Sequence, residues 1–327
     1  MKKSIQGLYL CALSILGTLA VTLRSVALLT GFNFSSGYFD KKLINAISIV
    51  IAATAVVLFA TFLIYKKDYK PRVAIGTSRD FASSACVGVA LIITAFEIAA
   101  SAKSHVPAPT FNIGHAVTVI AAALAALSVI YFLLAVLFKG GAPRACAVFS
   151  IALMIFLVFY ALMLYFDNTN PLNAPVKICD QLAYASLAIF FVYETRISLG
   201  RPLLKAYVVS GLTAALLSAY SAIPSLIVYF ANGNVISHTI SESVLTLALF
   251  AFVLIRTISA LTAEDDRENS IVAIVKKMHD DRVKEIEDAK LARVQYNNEE
   301  IGEDEDENYK IELPSATDDG AERTEQE

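Results

Sequence analysis

From Ala116 to Phe138 the chain reads AVTVIAAALAALSVIYFLLAVLF, with no charged residue and no polar face recurring every three to four positions. Wound at about 1.5 Å per residue, such a stretch crosses the roughly 30 Å hydrocarbon core of a bilayer. Leu43 to Tyr65 has the same character. A soluble helical bundle would show polar faces at the helical period, and its buried helices are usually shorter. These runs therefore decide the class.

Working outward from them, apolar runs over 8–30, 43–65, 81–101, 115–138, 144–166, 179–199, 206–231 and 238–260 predict an all-α, polytopic transmembrane helix bundle of eight spans within 1–261. The composition agrees: 56% of the 327 residues are apolar, 17% are charged, and Trp is absent. The net charge of −3 hides a split. Up to Leu261 there are 18 Lys/Arg against 8 Asp/Glu; from Thr262 onward there are 9 against 22. A basic membrane body is followed by an acidic tail.

Loop charges orient the spans. Lys2, Lys3, Lys66, Lys67, Lys70, Arg72, Arg79, Lys139, Arg144, Arg196, Arg201 and Lys205 fall on one side, and only Lys41, Lys42, Lys103 and Lys177 on the other. Short basic loops stay cytoplasmic, so both termini are expected inside. Asn168, Asn170, Pro171 and Asn173 punctuate one outer loop, Pro107 and Pro109 another. Lys2 and Lys3 before Leu8–Leu23 also resemble the start of a signal peptide, but Arg24 and the lack of an A-x-A site argue against cleavage. Gly88 and Gly211 share an offset of 123 with His115 and His238, which suggests a weak 4+4 parallel repeat. Chance similarity between apolar helices gives the same pattern.

Beyond the spans, Thr262 and Asp265 form a capping-box-like start. Ile271, Ile274, Val275, Met278 and Ile286 then recur near helical spacing, predicting a cytoplasmic amphipathic helix over 262–296. Self-pairing as a coiled coil, docking of a protein partner and packing beneath the bundle are the uses such a helix permits. The remaining 297–327 is expected to be disordered, since its acidic run cannot bury enough apolar surface to offset ordering entropy. An acidic tail repels phosphate, so the bilayer and not nucleic acid is the expected surroundings.

Ionisable groups inside spans are costly, about 2.5 to 3.5 kcal/mol each on insertion scales, and mark candidate sites. Arg24, Glu97, Asp180 and Glu242 all fall in the outer half, with His105, His115 and His238 at the same level. Together they outline an outward-facing polar recess; nearness to the interface is the plainer account for His105, His115 and Asp180. Arg24 and Glu97, deeper, are expected to pair, for structure or for function. His238 and Glu242 stand four apart on one helix face, with His115 as a further ligand if the repeat holds, but so short a pattern does not specify a metal. No metal or cofactor is implied.

Pro224 interrupts the 206–231 run among Ser210, Thr213, Ser218, Tyr220, Ser221 and Ser225. A proline leaves one backbone carbonyl without its helical donor, and kinked helices line transporter sites; serines also occur where helices pack closely. At the inner side Glu194, Arg196, Arg201 and Arg256 form a second charge cluster, the arginines reaching toward the interface and Glu194 pairing with Arg256 or Arg201. Cys11, Cys86, Cys146 and Cys179 show no C-x-x-C spacing and read as small apolar filler. No P-loop, G-x-G-x-x-G, H-E-x-x-H or G-x-S-x-G occurs, and no catalytic residue is assigned.

The segment Asn170-Pro171-Leu172-Asn173-Ala174-Pro175-Val176-Lys177, followed by Asp180-Gln181-Leu182, Tyr193-Glu194-Thr195-Arg196 and Leu199-Gly200-Arg201, resembles a group of uncharacterised multi-spanning membrane proteins from Firmicutes-type bacteria. The resemblance covers about a third of the chain. It implies a bacterial cytoplasmic membrane and carries over no functional residue. Solute binding or transport through the recess is the leading expectation, a sensor or assembly role for the C-terminal helix the second, and a membrane enzyme the third.

Overall fold

Hydrocarbon offers the backbone no hydrogen-bond partner, so apolar runs of this length satisfy their peptide groups as helices. The computed structural model describes residues 3–33, 37–39, 47, 49–51, 53–58, 60, 78–104, 113–137, 143–166, 171, 174–199, 203–233, 239–262 and 271–303. Its helices are α1 (Lys3–Thr30), α2 (Ser78–Ser104), α3 (Ile113–Leu137), α4 (Pro143–Phe166), α5 (Pro175–Ser198), α6 (Leu204–Asn232), α7 (Ile240–Thr262) and α8 (Ile271–Glu303). Among the described residues, the first seven are long and apolar enough to cross a membrane. The chain is thus built as a multi-pass membrane protein. Of the expected span 43–65, residues 47, 49–51, 53–58 and 60 are helical, and the rest of it lies outside the described residues.

Helices α2 to α7 close a ring. Each packs on the next in sequence, and α7 returns to α2, while α1 stands against α6. Side-chain pairs give the directions. Asp180 meets Ser221 and Phe190 approaches Gly211, so α5 and α6 are antiparallel. Tyr184 meets Thr246 and Glu194 meets Arg256, so α5 and α7 are parallel. Glu97, late in α2, meets Ser241 at the start of α7, so those two are antiparallel. Gly17 faces Leu216 and Arg24 faces Tyr220, so α1 runs parallel to α6, and hence to α2.

Inside the ring lies one apolar core with contributions from α2 through α7, including Leu91, Phe132, Leu153, Phe191, Tyr207 and Phe252. Phe132 and Phe252 stand edge to face at 5.3 Å, and Phe191 stacks on Phe252 at 6.0 Å. The outside is also apolar: Phe96 and Phe230 are 73% and 80% exposed. A surface of this kind suits lipid and would aggregate in water. Buried hydroxyls return to the helix, as Thr94 donates to Ala90 O and Thr257 to Val253 O.

Two glycines mark close helix approach. A Cβ at Gly211 would collide with Thr257 Oγ1, and one at Gly17 would fall 2.5 Å from Leu216 Cδ2. Gly88 has room, its nearest neighbour at 3.8 Å.

Three local details differ from the sequence expectation. A two-residue ladder, β1 (Phe32–Asn33) against β2 (Tyr38–Phe39), follows α1, so the body is not purely helical. Pro224 does not end its helix, since α6 runs through it from Leu204 to Asn232 and closes at Gly233 in the left-handed conformation. Finally, α5 begins four residues before the expected 179, because Pro175 occupies the first helical turn, where its missing N–H costs nothing.

The chain divides into two compact units, 1–277 and 278–327. In the second, the described part is the continuation of α8, whose residues 278–293 are all exposed. Of the expected 262–296 helix, 271–296 is helical and continues to Glu303, while 263–270 lie outside the described residues. So do 304–327, the greater part of the expected acidic tail.

Candidate functional site: two buried polar layers

The missing N–H of Pro224 leaves the carbonyl of Tyr220, four residues earlier, without its helical donor. A side chain of α1 fills the gap. Arg24 Nη1 donates to Tyr220 O at 2.8 Å, and its guanidinium carbon lies 4.5 Å from the centre of the Tyr220 ring. Arg24 is 1% exposed, yet its Nη2 has no hydrogen-bond partner among the described residues.

One residue further along α6, Ser221 Oγ donates to Asp180 Oδ1 of α5 while Ser221 O accepts from Ser225 Oγ at 2.9 Å. The proline turn therefore ties α1, α5 and α6 together. Asp180 is buried, not edge-exposed as its position in the sequence suggests. It lies in electrostatic reach of Cys179, as Arg24 does, and of the Tyr160 and Tyr184 hydroxyls.

Those tyrosines lead to Glu242. The Tyr160 hydroxyl hydrogen-bonds the Glu242 side chain, and Tyr184 shares a 2.8 Å hydrogen bond with Thr246, one turn along α7. The two rings are 4.8 Å apart. Glu242 sits in the first turn of α7, where a negative charge is favoured by the helix dipole. Arg24, Asp180 and Glu242 thus belong to one polar layer, linked through Tyr220, Ser221, Tyr184 and Tyr160.

Glu97 stands at its rim. It is exposed and accepts hydrogen bonds from Thr239 at 2.8 Å and from Ser241. The expected Arg24–Glu97 pair does not form. Helix packing explains this, because α1 lies on α6 while α2 lies on α3 and α7. His115 opens α3, whereas His105 and His238 lie outside the described residues. Among the described residues, no three His, Cys, Asp or Glu side chains gather as a metal site would require.

The second layer is near the opposite end of the same helices. Arg256 Nη2 meets Glu194 Oε1 at 2.6 Å, with both side chains buried. Tyr131 donates to the same oxygen at 3.4 Å, while Glu194 Oε2 has no hydrogen-bond partner among the described residues. Ser150 and Thr195 share a hydrogen bond of 2.7 Å alongside. Of the two partners the sequence offers Glu194, Arg256 is the one it meets, and the pair is buried between α5 and α7. Arg196 faces outward and takes no part in the pair, and Arg201 lies outside the described residues.

Residues unremarked in the sequence complete both layers: Tyr160, Tyr184 and Thr246 in the first, Tyr131 in the second. Lys177, counted there as an outer-loop charge, is buried in the first turn of α5, one turn before Asp180. Pro175 was its sequence signal, since a proline at a helix start places the next residues inside the helix. No protein-family model, curated protein or solved structure matches the chain.

Proposed function

We propose that the chain is an eight-span protein of a bacterial cytoplasmic membrane, with both termini inside, that binds or moves a small solute at the layer built by Arg24, Asp180 and Glu242. One observation carries the solute reading: Arg24, an always-charged group, is fully buried at span depth, tied to the carbonyl released by Pro224. Intramembrane ionisable groups in such settings mark solute and ion paths, and broken hydrogen-bond ladders recur in transporter helices. An uptake and efflux screen in proteoliposomes tests the reading. Transport or binding lost in Asp180→Asn and Glu242→Gln is expected; a full metabolite panel without effect sinks it.

The eighth crossing is supported by helix direction. Because α1 and α2 run the same way, the chain leaves α1 at one end of the bundle and must regain the other end before Ser78. The apolar run 43–65 is the segment suited to that return.

A second reading, a sensor or assembly protein, is favoured by α8, which exposes Met278, Val283, Ile286 and Leu291. Deleting 262–327 separates the readings. Loss of a co-purifying partner with intact membrane insertion supports docking, and an unchanged set of partners removes it.

A further inference from the structure

Hydrogen bonding at the Arg24 corner is incomplete among the described residues. Arginine offers five donors in a planar fork. Here one serves Tyr220 O, and the buried Nη2 has no acceptor among the described residues. Two more buried groups capable of donating lack partners among the described residues: Gln181 Nε2, beside Asp180, and Ser218 Oγ. Ser218 lies one turn before Ser221 on the same α6 face.

Arg24 and Lys177 are buried cations, Asp180 is the buried carboxylate nearest them along the chain, and Ser221 already engages its Oδ1. Glu242 accepts from the Tyr160 hydroxyl, whose ring lies 4.8 Å from that of Tyr184. The amino-terminal end of α5 adds a partial positive charge at this same end.

We infer that the Arg24 corner receives the carboxylate group of a small organic solute, with Nη2 of Arg24 as its principal donor. This rests on the solute-binding reading above and names the chemical class that reading leaves open. A carboxylate suits the donor because charge-assisted guanidinium–carboxylate hydrogen bonds are about twice as strong as neutral ones. It would also satisfy a buried N–H that otherwise stays unmade at a cost to the fold.

The test uses the full chain purified in detergent and followed by circular-dichroism melting. Small mono- and dicarboxylates, hydroxy acids and amino acids are each compared with the amide of matching size, and with chloride and inorganic phosphate. At least one carboxylate is expected to raise Tm saturably while its amide leaves Tm within error. Arg24→Gln should lose that shift and Arg24→Lys should retain a reduced one, whereas Glu97→Gln, at the rim, should keep it.

Equal shifts from acid and amide, full reproduction by chloride or phosphate, or no shift from any carboxylate would each overturn the inference. The wild-type comparison of acid with amide stands even if Arg24→Gln fails to fold. If neutral or cationic solutes raise Tm and Glu242→Gln abolishes it while carboxylates do nothing, the site survives and its anionic preference falls. If no solute of any charge acts, both fall.

Discussion

Arg24 Nη1 donates to the main-chain oxygen of Tyr220, 2.8 Å away, the acceptor that Pro224 cannot serve. A defect in one helix is thereby repaired by a side chain of another. Proline inside a helix costs about 3 kcal/mol, chiefly through the lost bond and the ring clash. The guanidinium recovers part of the first, which explains how α6 stays helical across the position.

A double-mutant cycle measures that link. Arg24→Met strands Tyr220 O in the parent chain, a loss of about 1–3 kcal/mol for an unmet buried acceptor. In a Pro224→Ala background the N–H of residue 224 takes over, so the same change should cost at least about 1 kcal/mol less. The relief of the buried charge is common to both backgrounds and cancels. Equal costs in detergent unfolding would break the proposed connection.

The pair Glu194–Arg256 should behave as a buried ion pair in low dielectric. Arg256→Met or Glu194→Leu alone leaves an uncompensated charge and should destabilise by about 3–5 kcal/mol. The double substitution should recover most of that loss. Unfolding curves for all three variants decide it, and a double variant no better than the worse single one would contradict the electrostatic account. Tyr131→Phe, removing a 3.4 Å contact, should cost about 1 kcal/mol or less.

Glycine substitutions should divide sharply. Gly211→Ala places a methyl against Thr257 and Phe190 and should lose about 1–3 kcal/mol through overpacking. Gly88→Ala meets nothing closer than 3.8 Å and should be neutral or gain up to about 1 kcal/mol from helix propensity. Thermal melts of the two single variants suffice, and indistinguishable melts would refute the close approach of α6 and α7.

Reporter fusions test the crossing count. With eight spans, fusions placed after Arg79, after Lys139 and after Leu261 should report the cytoplasm, and a fusion after Ser104 the opposite side. Excising 43–65 should reverse the reports at Arg79 and beyond or abolish insertion. Unchanged reports with intact insertion would remove that segment as a crossing.

The spans were legible because length and apolar content alone decide them, and α4 lies at 143–166 where 144–166 was expected. Pro224 likewise announced a free carbonyl at Tyr220. What supplied its donor was not legible. Helix neighbours are chosen by side-chain shape, such as the Gly17–Leu216 approach that seats α1 on α6, and the span pattern carries no trace of it. Depth misled at Asp180, which lies within two turns of the start of α5, where solvation is the economical guess, yet Ser221 on the neighbouring helix meets it and it is buried. The Glu194–Arg256 pair, by contrast, was one of the two pairings the sequence offered.

One spacing has an electrical consequence. Asp180 and Glu194 are separated by fourteen positions on α5, as are Glu242 and Arg256 on α7, which sets the layers about 21 Å apart at 1.5 Å per residue. That is roughly two-thirds of a hydrocarbon core about 30 Å thick. A full crossing by one elementary charge is worth about 2.3 kcal/mol at 100 mV, so passage between the layers would exchange roughly 1.5 kcal/mol with the membrane potential. Any charged solute handed from Arg24 toward Arg256 would do work against voltage or draw work from it, and its passage would register as current.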